Sequence, residues 1–317
     1  MANFICLKYK FSQFKLLMTI QKTIHILFTS VLLLLTLVTC KENTKETIIN
    51  KSAIVDDLDS VFNFKSVPQR VITLAPNLTE MIFELGVDSF LIGNTTYCNF
   101  PEEAQSVVKV GDLLTVDYEK IILLKPELVF ITVEGNSKST YDKLRQYGFR
   151  VFVSNPRNYE GIKKTFTDFG RIFNKEKLVN NKITVWDSIV DSIKTQSAAS
   201  DSTPAMFLIS IKPIMLAGGK TFVNEFLNFC GLKNISADSK VNYPLFSREE
   251  ILKQNPAYII HSFMQKNIAL DIKKAYPEWE NLTAIKNGNI ISVDPDLFFR
   301  PGPRFVIALQ DLYKKLW

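Results

Sequence analysis

One sequence pattern occurs twice in this chain of 317 residues, and it constrains the fold more than any other feature. Residues 119–129 (EKIILLKPELV) match residues 249–259 (EEILKQNPAYI), 130 positions later. Residues 80–87 (EMIFELGV) match residues 225–232 (EFLNFCGL), 145 positions later and in the same order. A longer loop in the first copy reconciles the two offsets, so the pattern predicts a duplicated unit.

Each copy alternates β-rich runs with amphipathic stretches, which is typical of strands followed by helices. Strands are predicted at residues 70–75, 128–132, 150–154, 206–210 and 258–261. Helices are predicted at residues 77–86, 119–124, 138–147, 223–230 and 249–254. The first helix is predicted to be capped by Asn77, with Glu80 three residues on. This alternation predicts the α/β class, with parallel sheets covered on both faces.

A helical connector is predicted between the two copies. From residue 159 to about 194 apolar residues recur at helical spacing, without a proline. The segment is either one long helix or two helices broken near Asn174. The predicted domains are an N-terminal lobe at residues 64–158, an inter-lobe helix at 159–199 and a C-terminal lobe at 200–317.

The beginning of the chain is predicted to be a signal peptide, at residues 1–39. Ile26–Val38 is an unbroken run of apolar or small residues, and Lys22 precedes it. The run is too short to span the roughly 30 Å of a bilayer core, which favours a secretory signal over a membrane helix. Its start is either Met1 or Met18.

A lipid anchor is predicted at the end of that signal. Leu37–Cys40 resembles the bacterial lipobox, with Thr39 where a smaller residue is usual. Cys40 is therefore the predicted lipidation site, and an ordinary signal peptide or a retained anchor are the alternatives. Residues 40–63 are polar and charged, and a flexible tether is predicted there.

The charge balance argues against a nucleic-acid partner. The chain has 38 Lys and Arg against 32 Asp and Glu, but residues 1–39 contain four of the lysines and no acidic residue. Without them the body is nearly neutral, so no electrostatic footprint for nucleic acid is expected.

Few side chains remain for metal or nucleophilic chemistry once the leader is removed. Cys98 and Cys230 are predicted to be free buried thiols, and a single disulfide is the alternative in an oxidising compartment. His261 is the one histidine left, which excludes a metal receptor built on several histidines. It also excludes a Ser-His-Asp enzyme unless His261 is the base. Because His261 ends a predicted buried strand, a structural role is expected.

Further motifs resemble the cobalamin-binding proteins of bacterial ABC importers. In the first half they are RVITLAPNLTE at residues 70–80, YCNFP at 97–101, VGD at 110–112 and the 119–129 segment. In the second half they are YPLFSRE at 243–249, Asn255-Pro256 and RPGPR at 300–304. The resemblance covers residues 66–317 and implies the helix-hinged family of receptors for cobalamin, haem and iron siderophores. Its fold is two Rossmann-like lobes joined by a long backbone helix, with the ligand between them.

The resemblance also implies a ligand site in the cleft between the lobes. The implied ligand-binding residues are Tyr97, Leu113, Tyr243, Asp296, Phe298 and Arg300. Tyr97 corresponds to a position that packs on the corrin, and Tyr243 to one where cobalamin binders place Trp. Asp296 and Arg300 correspond to polar residues that reach the ligand's side groups. Phe298, together with Phe299, is expected to extend the same wall.

Two positions depart from the cobalamin binders. Leu113 and Thr132 stand where those proteins carry bulky aromatic residues, and a less aromatic cleft leaves haem open as the ligand. A phenolate ligates haem iron well, so Tyr97 is the implied iron ligand in that case. Cys98 beside it is a softer alternative.

The two glutamates that begin the 119–129 and 249–259 segments have an implied role outside the cleft. In the family, surface glutamates at these places, one per lobe, engage arginines on the two permease subunits. Glu119 and Glu249 are therefore the implied permease-docking residues. The alternative is that each glutamate only favours the dipole of the helix that it begins.

These observations predict a non-enzymatic, monomeric substrate-binding lipoprotein, anchored to a bacterial membrane in the periplasm or exposed at the cell surface. It is expected to have no intrinsic cofactor or metal, and to deliver a corrinoid to the ABC transporter permease. The alternatives are a receptor for haem or a ferric siderophore, a surface module that only captures ligand, and an exported hydrolase. The hydrolase would need an acid and a base near the cleft, for which Asp296 and Asp112 are the candidates.

Overall fold

The structure is a computed structural model that describes residues 53–198, 202–264 and 267–317. Ser52–Trp317 forms one compact unit, which contains two main β-sheets. Among the described residues, no helix is both long and apolar enough to cross a bilayer. The predicted signal peptide, Cys40 and the tether up to residue 52 lie outside the described residues.

The N-terminal lobe is built on a parallel sheet. Its first strands, β1 (Ile54–Val55) and β2 (Val61–Phe62), form a separate antiparallel hairpin. The sheet strands are β3 (Val71–Thr73), β4 (Leu91–Gly93), β5 (Leu128–Thr132) and β6 (Val151–Ser154), in the order β4-β3-β5-β6. The helices are α1 (Pro76–Glu84), α2 (Tyr118–Leu124) and α3 (Lys138–Gln146), with 3-10 turns at Asp88–Phe90 and Glu102–Ser106. The sheet strands are almost wholly buried, as expected when helices cover both faces.

The connector consists of two helices. The first, α4 (Tyr159–Ile172), packs on the N-terminal lobe, and the second, α5 (Glu176–Ser197), is the long backbone helix, about 33 Å in length. The chain turns at Asn174, which has a left-handed φ of +55°. Asparagine visits this conformation more readily than most residues. Of the two alternatives for the connector, the break near Asn174 is the one observed.

The C-terminal lobe is built on a mixed sheet. Its strands are β7 (Thr203–Ser210), β8 (Met215–Leu216), β9 (Leu232–Asn234), β10 (Tyr258–His261) and β11 (Ile290–Ser292). They follow the order β11-β10-β7-β8, and β9 also pairs with β7. Strand β8 is antiparallel to β7. The helices are α6 (Phe222–Phe229), α7 (Arg248–Gln254), α8 (Ile268–Ala275), α9 (Thr283–Lys286), α10 (Pro295–Phe298) and α11 (Phe305–Leu316), with a 3-10 turn at Pro277–Asn281.

The two copies of the longer repeat fold in the same way. The side chains of Asp117 and Ser247 cap α2 and α7 by accepting a hydrogen bond from a backbone amide of the first turn. Both helices end at a residue with positive φ, Lys125 at +48° and Asn255 at +43°, and a proline follows each. The proline prevents the helix from continuing and leads into β5 or β10.

The predicted N-cap of α1 is wrong. The helix begins at Pro76, whose missing amide costs nothing at the first position, and Ala75 is the capping residue without a side-chain bond. Asn77 and Glu80 therefore lie inside the helix. Their side chains are left to bind the other lobe.

The predicted tether is corrected in its last part, because residues 53–62 are ordered. Asp56 Oδ2 accepts a hydrogen bond from Val153 N at 3.1 Å, and Asp57 N donates to Val153 O at 2.9 Å. Val153 belongs to β6, the edge strand of its sheet. The segment that carries the hairpin thus pairs backbone groups that an exposed edge would leave open.

Aromatic side chains join the two lobes behind the cleft. Tyr159 at the start of α4 stacks on Phe305 at the start of α11, with ring centroids 5.2 Å apart. Phe305 also packs on Phe222 and Phe226 of α6, at 5.3 and 4.7 Å. The apolar core is continuous from one lobe to the other. Large rotations of the lobes would therefore expose apolar surface.

Candidate functional site

A cavity of about 670 Å³ lies between the lobes, within the size range of small-molecule sites. Its N-terminal wall comes from the loops that follow β3, β4, β5 and β6. That wall includes Tyr97, Leu113, Thr132, Glu134, Asn155 and Arg157. The opposite wall includes Tyr243, Asp296, Phe299 and Arg300. Loops at the carboxyl ends of parallel strands are the usual place for such a site.

Buried neighbours hold the loop that presents Tyr97. The thiol of Cys98 accepts a hydrogen bond from Thr79 Oγ1 at 3.1 Å and lies 3.2 Å from Thr95 Oγ1. Because Thr79 belongs to α1, these contacts fix the loop to that helix. Tyr97 itself is 53% exposed and lines the cavity. Cys98 is buried behind the wall, so the alternative of a Cys98 ligand to haem iron does not fit this structure.

A tight turn presents Leu113. Asp112 Oδ1 accepts hydrogen bonds from Leu114 N at 2.7 Å and Thr115 N at 2.6 Å. Gly111 has a φ of +109°, and a Cβ atom there would lie 2.1 Å from Thr115 O, so the turn requires glycine. Asp112 is committed to this turn.

The polar pair of the C-terminal wall is tied to the N-terminal lobe. Arg300 donates from Nη2 to Asp296 Oδ1 at 2.6 Å and from Nη1 to Asn99 Oδ1 at 2.7 Å. Asn99 Nδ2 in turn donates to Asp296 Oδ2 at 3.0 Å. The three side chains thus orient one another across the cleft.

Beneath the cavity, Glu80 of α1 binds two arginines of the C-terminal lobe. Arg304 makes a bidentate contact, Nε to Oε2 at 2.9 Å and Nη2 to Oε1 at 2.6 Å. Arg300 Nη1 lies 3.5 Å from Oε1. Burial raises the pKa of the Glu80 carboxyl, and both arginines oppose that rise. Phe100 covers the Arg304 guanidinium, with 4.1 Å between Cζ and the ring centroid.

Glu225, which the shorter repeat aligns with Glu80, also makes a contact outside its own lobe, at the start of the connector helix α4. Its carboxylate accepts a hydrogen bond from the backbone amide of Tyr159, and burial raises its pKa. Neither glutamate is predicted as an inter-lobe contact from the sequence. Both glutamates occur within an otherwise apolar helix. This pattern could have indicated a buried contact, because a buried carboxylate needs a partner.

The structure brings five of the six predicted ligand-binding residues to one cavity. They are Tyr97, Leu113, Tyr243, Asp296 and Arg300. The placement of Phe298 is corrected: it is fully buried and packs on Phe226, with ring centroids 4.4 Å apart. Phe299, which is expected at the same wall, does line the cavity, since successive residues at the end of a helix point in different directions.

A second ion pair, absent from the predicted site, lies on the N-terminal wall. Arg157 Nε is 3.4 Å from Glu134 Oε1 and donates to Asn155 Oδ1 at 3.0 Å. The two charged residues follow the neighbouring strands β5 and β6, which explains why they meet. Burial, and then the Glu134 carboxylate, raise the pKa of the Tyr243 phenol. No sequence signal marks this pair, because exposed Glu and Arg are common.

The two predicted docking residues lie at matching places outside the cavity. Glu119 is in the first turn of α2 and Glu249 in the first turn of α7, and both are exposed. Hydrogen bonds from its own backbone amide and from the Ser247 hydroxyl lower the pKa of Glu249. The structure therefore gives each lobe one exposed carboxylate at an equivalent helix start.

The remaining reactive groups are buried and structural. The Nδ1 atom of His261 accepts a hydrogen bond from Phe263 N at 3.2 Å, and burial lowers the pKa of the imidazole to about 4. Cys98 and Cys230 are free and buried, which confirms the prediction for these thiols. Within the described ranges, no group of three or more His, Cys, Asp or Glu side chains could hold a metal ion.

Comparisons with known proteins match most of the chain. A family model described as periplasmic binding protein matches residues 71–297, which include both sheets and most of the cleft. The vitamin B12-binding protein of Photorhabdus laumondii is 28% identical over 251 residues, covering 79% of this chain and 89% of the relative. An uncharacterized ABC transporter substrate-binding lipoprotein of Bacillus subtilis is 30% identical over 261 residues, covering 80% of this chain and 81% of the relative.

A solved structure extends the match to the fold. The periplasmic vitamin B12-binding protein of Vibrio cholerae aligns with a TM-score of 0.68 at 27% identity. The alignment covers 79% of this chain and 97% of that chain.

Proposed function

Since the chain belongs to the periplasmic binding protein family, whose members here include ABC transporter substrate-binding proteins, we propose that it is the receptor for a cobalamin-type corrinoid. It captures the corrinoid in the inter-lobe cleft and passes it to a membrane permease. The corrinoid is cargo and not a cofactor, and the receptor performs no catalysis. In this proposal Cys40 is lipidated and anchors the monomer to the membrane, with residues 41–52 as its tether.

The observation that carries the proposal is the pair of tyrosines in the cleft. Tyr97 and Tyr243 line one cavity from opposite lobes and are 53% and 46% exposed. A large flat macrocycle between them would bury both rings and gain their apolar contact area. Asp296 and Arg300 at the same cavity would orient the polar groups at the macrocycle's rim. The named relatives support a corrinoid as that macrocycle.

Equilibrium dialysis of the purified protein tests the proposal. Separate cells would contain cyanocobalamin, hemin and a ferric hydroxamate. We expect saturable one-to-one binding of cyanocobalamin, and weaker binding of the other two compounds. Absence of cyanocobalamin binding would overturn the proposal for a corrinoid.

A haem receptor is the second candidate, and Tyr97 favours it. Its phenol is exposed in the cleft, where a phenolate could ligate iron. In that case hemin binding would give an iron–phenolate absorption spectrum, which Tyr97→Phe would remove. Retention of the wild-type spectrum in that variant would exclude Tyr97 as the ligand.

The hydrolase alternative has little support in the cleft. Asp112 is bound by two backbone amides of its own turn. Asp296 is held by Arg300 and Asn99. Neither carboxylate is paired with a second group that could exchange a proton with a substrate, which acid–base catalysis requires.

A further inference from the structure

The charged side chains that line the cleft, among the described residues, form two ion pairs. Glu134 and Asp296 are its acidic residues and Arg157 and Arg300 its basic residues. Arg157 Nε lies 3.4 Å from Glu134, and Arg300 Nη2 lies 2.6 Å from Asp296. Each arginine at the cavity therefore has its own carboxylate there.

The Glu134–Arg157 pair is held by fixed neighbours. Arg157 Nε donates to Asn155 Oδ1 at 3.0 Å, and Asn155 N donates to Asp57 Oδ2 at 2.5 Å. Asp57 is in the turn of the N-terminal hairpin, and Lys164 Nζ on α4 lies 2.8 Å from its other carboxylate oxygen. These contacts place the guanidinium at the cavity wall before a ligand arrives.

The pair is also accessible to a ligand. The side chains of Arg157 and Glu134 are 51% and 52% exposed, whereas that of Arg300 is 12% exposed. Tyr243, on the other wall, is close enough for the Glu134 carboxylate to raise its phenol pKa. A ligand between the walls would therefore meet the Glu134–Arg157 pair on one side and the Asp296–Arg300 pair on the other.

An Arg–Glu pair binds the carboxamide groups and the carboxylate groups of a ligand differently. A carboxamide can accept a hydrogen bond from arginine and donate one to the neighbouring carboxylate, so both partners stay satisfied. A ligand carboxylate can only accept, and it would have to displace Glu134 or lie beside it against charge repulsion. Corrin rims carry carboxamides, whereas haem carries propionate carboxylates.

We infer that Glu134 and Arg157 form a specificity site in the cleft, which selects ligands with neutral carboxamide rims over ligands with carboxylate rims. This inference rests on the proposed corrinoid receptor. It assigns the discrimination chiefly to Glu134, because removal of that carboxylate would leave Arg157 free to bind an anion.

The test compares two corrinoids that differ at the rim. Dicyanocobinamide carries carboxamides and dicyanocobyrinic acid carries carboxylates. Their dissociation constants would be measured for the wild-type protein, Glu134→Gln and Arg157→Gln. Glu278→Gln is the matched control, because it removes the carboxylate from an Arg–Glu pair at 3.5 Å outside the cleft.

The wild-type protein is expected to bind cobinamide more tightly than cobyrinic acid. Glu134→Gln should reduce the ratio of the two dissociation constants, cobyrinic acid over cobinamide, by about tenfold. This reduction should be smaller at high salt because the effect is electrostatic. Arg157→Gln should widen the ratio, and Glu278→Gln should leave it unchanged. If the wild-type protein binds cobinamide but Glu134→Gln changes the ratio no more than Glu278→Gln does, this inference is wrong. If the wild-type protein binds neither corrinoid, the proposed function is wrong.

Discussion

At the scale of single residues, His261 links burial to a measurable pH response. Its imidazole is buried at the end of β10, with a pKa of about 4. An unfolded histidine titrates near 6.5, so between these values the unfolded chain binds a proton that the folded chain does not. The free energy of unfolding should therefore fall as the pH decreases from about 6.5 to about 4, by at most about 3 kcal/mol from this residue.

Denaturant unfolding at pH 7 and pH 4.5 checks this prediction. His261→Gln should lose less stability between the two pH values than the wild-type protein does. The carboxylates contribute equally to both proteins, so the difference isolates the imidazole. Equal losses in the two proteins would contradict the prediction.

The sequence located single cleft residues only where the family motifs contain them. Tyr97 and Tyr243 lie in such motifs, and both line the cavity. Of the two phenylalanines expected at the wall, only Phe299 lines the cavity, because the end of a four-residue helix decides which ring faces the core. Glu134 and Arg157 carry no pattern of their own. Only the adjacency of β5 and β6 brings them together.

At the scale of elements, α1 binds the C-terminal lobe through a buried carboxylate. Glu80→Gln should lower the free energy of unfolding by about 3 kcal/mol, because it leaves the buried Arg304 guanidinium without its charged partner. Glu84→Gln on the same helix is the control. Glu84 pairs with Lys182 and is about one-third exposed, so its loss should cost less than about 1 kcal/mol.

Thermal and denaturant unfolding of both variants measure these costs. If Glu80→Gln is as stable as Glu84→Gln, the buried Glu80–Arg304 contact between the lobes does not stabilise the folded protein.

The N-terminal hairpin is expected to stabilise the fold through Asp56. Asp56 is buried and accepts hydrogen bonds from the backbone amides of Leu58, Ser60 and Val153. Asp56→Ala should destabilise the protein by about 2 kcal/mol, because buried amides lose their acceptor. Asp142→Ala, which removes an exposed helical pair with Lys138, should cost less than about 0.5 kcal/mol. Equal unfolding midpoints for the two variants would argue against a structural role for the hairpin.

The hydrophobic pattern predicts the helices and strands of the repeated segments. It does not predict the N-terminal hairpin, which depends on contacts with residues distant in the chain. The segment 119–129 and its second copy form the same capped helix, proline and strand. The two-residue strands of the hairpin are too short to show a period. The predicted N-cap of α1 is wrong because Pro76 and Asn77 both fit a helix start.

At the scale of the whole molecule, a continuous apolar core joins the lobes. A large change in the spacing of Glu119 and Glu249 is therefore expected to expose apolar surface. If they dock the permease, Ala at both positions should abolish ligand-dependent stimulation of transporter ATPase activity in vesicles, with ligand affinity unchanged. Exposed carboxylates elsewhere, such as Glu103 and Glu127, provide a control double variant. Full stimulation by the Glu119→Ala, Glu249→Ala protein would contradict the docking role.

The α/β class and the two-lobed plan were predictable because strand and helix alternate in both halves. The closeness of the lobes was not, since it depends on Tyr159, Phe305 and Glu80. Tyr159 and Phe305 do not differ in sequence context from ordinary core residues, and only the apolar helix around Glu80 indicates that its carboxylate has a buried partner. Contacts between residues that are distant in the chain are hard to predict from local sequence patterns.

In the proposed function, Tyr97 and Tyr243 hold a corrinoid between the lobes. Calorimetric titration with cyanocobalamin of the wild-type protein, Tyr97→Ala and Tyr243→Ala tests it most directly. Tyr147→Ala is the control, because Tyr147 is 51% exposed and lies outside the cavity. We predict one-to-one binding that each cleft variant weakens by about tenfold or more and that the control leaves intact. Wild-type affinity in both cleft variants would exclude the two tyrosines as the binding residues, and no binding by the wild-type protein would overturn the proposed corrinoid receptor.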